Sequence, residues 1–177
     1  MESKDKSGWI DRVCAIAIIA LTALLVSPVS HAEQLSLLIN GKAIHLGKLD
    51  GVKFNEDNWG AGFQYDFDAT ADNWIPFVTA SGFIDSNKNP SYYAGGGALK
   101  RFNLGSSGGG YHVDLGGIAF VMTREEFNNE RPFFAVLPAM AFGTDRLAVN
   151  ISFIPKVDPK TVALNFFQIK VGLGEVR

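Results

Sequence analysis

Over residues 59–67, large apolar side chains alternate with small or polar ones. Trp59, Ala61, Phe63, Tyr65 and Phe67 fall on one face; Gly60, Gly62, Gln64 and Asp66 fall on the other. A period of two marks a strand whose faces meet unlike surroundings. The pattern returns over 147–153, where Leu147, Val149, Ile151 and Phe153 oppose Ala148, Asn150 and Ser152. Further apolar runs cover 35–46, 74–85, 92–102, 111–124, 133–142 and 161–171. Turn residues part them, among them Asp72-Asn73, the glycine-serine patch 105–110, Gly143-Thr144-Asp145 and the segment 155–159. The pattern predicts an all-β chain of eight antiparallel strands, most of about the nine to eleven residues that cross a bilayer.

Two closed architectures suit such a chain, a transmembrane β-barrel and a soluble barrel of lipocalin type. They differ in which face carries the large apolar groups. In the cleanly alternating strands those groups oppose small and polar residues, as expected for lipid outside and a tight polar lumen. Closure is needed because an open sheet edge has no hydrogen-bond partners in lipid.

The first 32 residues read as an export signal. Lys4, Lys6 and Arg12 precede an apolar run over 13–26, Ser27-Pro28 break it, and Ser30-His31-Ala32 offers small residues for cleavage. Removal leaves residues 33–177 as a single barrel domain. The only cysteine, Cys14, lies in this leader, so the mature chain makes no disulfide and no thiolate. The net charge of −2 gives no basis for a nucleic-acid partner. No spacing of histidines or carboxylates suits zinc or calcium, and neither a metal nor a cofactor is expected.

With both chain ends on the periplasmic side, the longer connections fall outside the cell. His45, at the end of the first strand, then meets Asp85 and Ser86, at the end of the third, on the outer rim. His112, which opens the fifth strand, sits at the inner end and reads as structural. A hydroxyl beside a carboxylate, with a histidine near by, is a candidate acyl-transfer corner: the imidazole takes a proton near pH 7, and a carboxylate can hold its tautomer. Ser86 is then either a nucleophile or a donor to the oxyanion. The bland readings are a turn serine, a turn-capping aspartate and an exposed histidine at a strand end. In the last strand, Gln168 and Lys170 share a face with Val162, Leu164 and Phe166. If that face points inward, the outer half of the lumen is apolar and suited to an acyl chain.

Several stretches together resemble the PagP family of outer-membrane lipid A palmitoyltransferases. They are FNEDNWGAGF (54–63), FIDSNKNPSYYAGGG (83–97), HVDLGGIAFVMTR (112–124), RPFFAVLP (131–138), VNISFIP (149–155) and the final strand from Thr161. The resemblance implies a monomeric enzyme in the Gram-negative outer membrane that moves palmitate from a phospholipid to lipid A. It places His45, Asp85 and Ser86 in the active site and Gly97 at the floor of the acyl pocket. It sets Pro138 and Pro155 at lateral gaps, since proline removes a ladder hydrogen bond. Two features depart from the family: no amphipathic helix precedes the first strand, and GLGEVR is expected beyond the last one. Phosphatidylglycerol is an alternative acceptor. A lipid A deacylase and a non-catalytic lipid-binding barrel are the competing functions.

Overall fold

The computed structural model describes residues 33–48, 51, 53–105, 110–125, 131–156 and 162–175. The expected leader, residues 1–32, lies outside them, as do parts of four connections. Eight strands follow in order: β1 (Gln34–His45), β2 (Asp57–Asp66), β3 (Trp74–Ile84), β4 (Pro90–Asn103), β5 (His112–Thr123), β6 (Phe133–Gly143), β7 (Leu147–Ile154) and β8 (Leu164–Glu175). Each pairs antiparallel with the next, and β8 returns to pair with β1, so the sheet is a closed barrel. Closure leaves no strand at the edge of an open sheet, which is the condition for lying in lipid.

The two faces sort as the alternation predicts. Trp59, Phe63, Tyr92, Phe134 and Leu147 stand outside, with Phe134 as much as 69% exposed. In water such a band costs free energy at every residue; against acyl chains it costs none. Inside, Gln64, Asp66, Gln168 and Lys170 are buried. Lys170 Nζ donates to Asp66 Oδ2 at 2.8 Å, and Gln168 Nε2 donates to Asn40 Oδ1 at 2.6 Å and Tyr93 Oη at 2.9 Å. Below them, Arg101 grips Asp114 through Nε and Nη2, each at 3.0 Å, and reaches Asp145 at 2.7 Å. His112 Nε2 lies 3.0 Å from Arg101 Nη2, which makes this histidine part of the inner-end packing. The charges buried in the inner half of the lumen are therefore paired, as their burial requires.

One sequence expectation is corrected. The last strand does not stop before GLGE: β8 runs to Glu175, and Leu35 pairs with Gly174 while Ser36 pairs with Gly172. Leu173 is the extra residue of a β-bulge, and Gly174 takes φ +122° beside it. Glycines that read as the end of a strand instead let it turn and continue.

Candidate active site

His45 owes its direction to an irregularity in β1. Ser36, Leu38 and Asn40 are buried, so even positions face the lumen in the first half of this strand. Strict alternation would then send His45 outward into lipid. The register shifts between Asn40 and Lys42 against β2, and between Asn40 and Ala43 against β8. Past the shift the odd positions turn inward: Ala43 is buried, Ile44 is exposed, and the His45 side chain is only 5% exposed. A bulge that re-aims a side chain beside a site is a recurrent device. Lys42 and Asp57 pair at 2.5 Å beside it, and Ala43 N–H donates to the Glu56 carbonyl at 3.0 Å.

The residues ahead of β2 cover His45 from the other side. Phe54 stacks on the imidazole at 4.3 Å between centroids and 7° between planes. Asn55 ties this segment to the other half of the site. Its N–H donates to the Ser86 carbonyl at 2.8 Å, and its Nδ2 donates to the Asp85 carbonyl at 3.1 Å. Glu56 brings Oε1 to 3.8 Å from His45 Nδ1, too far for a hydrogen bond.

Asp85 and Ser86 follow β3 and are buried, at 2% and 9% exposure. Asp85 Oδ1 accepts the N–H groups of Asn87 at 2.8 Å and Asn89 at 3.0 Å. Its Oδ2 accepts Arg124 Nε at 3.1 Å and Ser91 Oγ at 3.2 Å. This carboxylate caps its own turn, as aspartate commonly does, and also anchors a cation. Arg124 was not singled out by the sequence reading. Its signal was the parity of β5: it shares the face of His112, Asp114 and Phe120, one step beyond the strand. Phe54 and Glu56 had no such signal, because the chain before β2 follows no period.

His45, Asp85, Ser86 and Arg124 all line the mouth of one cavity of about 460 Å³. Its walls are largely apolar, with Phe120, Leu137, Leu164, Phe166 and Val162 among them, so the inward face expected of the last strand is the face observed. Pro155 also lines the mouth. Phe77, Leu99 and Ile118 close the cavity below.

Gly97 shares a strand face with Leu99 and pairs directly with Phe77 and Ile118, yet it is not among the lining residues. A Cβ there would lie 2.1 Å from the Gly117 carbonyl oxygen and 2.9 Å from Phe77 Cζ. The Phe77 ring covers the notch that the missing side chain leaves. The side chain nearest the expected floor position is therefore Phe77.

Pro138 faces outward and does not line the cavity. It stands where the β6–β7 ladder stops. Pairing runs from Gly143↔Ala148 to Ala139↔Ser152 and goes no further, although β6 continues to Phe133 and β7 to Ile154. Leu137 and Ala135 on one side of the parting, and Ile154 on the other, line the same cavity.

The family model described as "antimicrobial peptide resistance and lipid A acylation protein PagP" matches residues 39–168. No curated protein matches. Two solved structures of the Yersinia pestis outer membrane protein Ail are similar. One, a backbone structure in a phospholipid bilayer nanodisc, is 15% identical over 80% of this chain and 100% of that one, with a TM-score of 0.40. The other, a crystal structure, is 14% identical over 79% of this chain and 95% of that one, with a TM-score of 0.41.

Proposed function

The chain belongs to the PagP family, and from that membership we propose that this outer-membrane barrel is a phospholipid-dependent acyltransferase. It takes a palmitoyl chain from a glycerophospholipid and passes it to a hydroxyl acceptor, lipid A. The observation that carries this reading is a rim histidine and an Asp-Ser corner at the mouth of an apolar cavity.

An acyl chain in the cavity leaves its ester at the mouth, among His45, Ser86 and Arg124. The apolar walls hold it by close packing, which fixes the ester without a covalent tether. The acceptor oxygen forms a bond to the carbonyl carbon as the ester bond to glycerol breaks. Its proton passes to a ring nitrogen of His45 and then to the departing glycerol oxygen, leaving a lysophospholipid. The Ser86 hydroxyl and the Arg124 guanidinium are the groups available to the charge that develops on the carbonyl oxygen. The β6–β7 parting supports lateral entry from the bilayer, since donor and acceptor are both membrane lipids.

Mass spectrometry of lipids from Gram-negative cells with and without the chain tests the reading. Lipid A gaining one palmitate supports it. Phosphatidylglycerol gaining the chain changes the acceptor. A lipid A that loses a chain, or lipids that do not change, overturn it in favour of a deacylase or a binding protein.

A further inference from the structure

His45 Nδ1 is buried and has no hydrogen-bond partner. A buried polar nitrogen left unpaired is costly, so a partner within reach is favoured. Asp85 is not it: both its oxygens are occupied by Asn87, Asn89, Ser91 and Arg124. The carboxylate beside the ring is Glu56, with Oε1 at 3.8 Å from Nδ1. Its backbone is anchored by the Ala43 N–H at 3.0 Å, and its side chain is half exposed and free to turn. A change in its side-chain torsions closes the remaining distance. The ring itself cannot swing to another partner without leaving the Phe54 stack.

We propose that Glu56 is the positioning residue for His45. It accepts Nδ1–H, which leaves Nε2 as the basic nitrogen. The division of labour is then between two carboxylates. Asp85 builds the corner that presents Ser86 and Arg124, while Glu56 sets the histidine tautomer. During transfer the acceptor proton goes to Nε2, Nδ1–H stays on the ring, and the Glu56 charge balances the imidazolium. The same proton then leaves Nε2 for the glycerol oxygen. The kinetic part of the proposal rests on the acyltransferase reading; the tautomer does not.

The experiment uses the mature barrel in detergent, labelled with nitrogen-15 in its histidines. Only His45 and His112 contribute signals, and His45→Asn identifies which belong to His45. In the wild type, the His45 spectrum shows a protonated Nδ1 and a bare Nε2. Glu56→Ala keeps the backbone bond to Ala43 but mixes the tautomers. It lowers kcat about a hundredfold, the lower end of what a general base supplies, with KM within about twofold. Glu56→Asp, which retains a carboxylate, recovers part of both. An unchanged spectrum and rate in a folded Glu56→Ala barrel overturns the proposal and assigns Nδ1 to the neighbouring Ala43 carbonyl. If the wild type transfers no acyl chain but the tautomer still depends on Glu56, the pairing stands and the acyltransferase reading fails.

Discussion

On the acyltransferase reading, single side chains at the rim divide into those that touch the reaction and those that hold the corner. His45→Asn and Ser86→Ala are expected to abolish palmitate transfer while the barrel still folds, because neither supports the inner packing. Transfer assays in detergent, with heat-modifiable gel mobility as the folding control, check this; two near-normal activities remove the rim from consideration. Asp85→Ala behaves differently. It frees two turn N–H groups and strands a half-buried guanidinium, so activity and thermal stability fall together, the latter by about 1–3 kcal/mol. Gly97→Ala forces a Cβ against the Gly117 carbonyl, and we expect a destabilised barrel with an unchanged chain preference. Phe77→Ala deepens the cavity instead and shifts the preferred donor towards chains longer than palmitate, read by product mass from a mixture of phospholipids. The residues Asp85 and Ser86 could be found in the sequence because they interrupt an apolar run. Glu56 could not, because it lies ahead of β2, where the chain follows no period, and only the backbone bond to Ala43 brings it beside His45.

At the scale of the strand, alternation revealed most of the barrel and missed the place where it changes phase. The eight strands follow from two clean alternations and six apolar runs parted by turn residues, and the inward face of β8 follows once its polar Gln168 and Lys170 are set inside. The shift around Gly41 and Lys42 does not, since a bulge adds one residue without altering composition. Yet it is this shift that turns His45 from lipid to lumen. Deleting Gly41 should restore strict alternation, expose position 45 to detergent and abolish transfer in a barrel that remains folded. Labelling of a cysteine placed at position 45, with and without the deletion, reads its side. Retained lumen protection after deletion would show that the loop, and not the strand phase, directs this residue. The β6–β7 parting has a similar origin in one residue. Pro138→Ala supplies an N–H and is expected to lengthen the ladder, stabilise the barrel by about 1 kcal/mol and slow transfer from membrane-embedded donor. Equal rates before and after would leave the parting without a role in entry.

Taken as one molecule, the barrel is apolar without, apolar in its upper bore and charged at its inner end. Arg101 joins Asp114 and Asp145 there, with Asp114 buried. Arg101→Met leaves that carboxylate without its cation, and the expected loss is about 3–5 kcal/mol by urea unfolding in detergent. A loss under 1 kcal/mol would mean that water already reaches the site. The polar plug also decides how traffic through the molecule is organised. With the far end filled, the bore is a berth closed below, and whatever occupies it must leave from its upper half, by the mouth or the β6–β7 parting. Two tails cannot moor side by side, so turnover waits on departure. Any single-tailed amphiphile with no bond to cleave becomes a squatter whose residence time sets the queue. If the proposed transfer holds, the choice of solubilising detergent will therefore govern its apparent rate in vitro, with slim straight tails silencing it and broad rigid ones leaving the berth open.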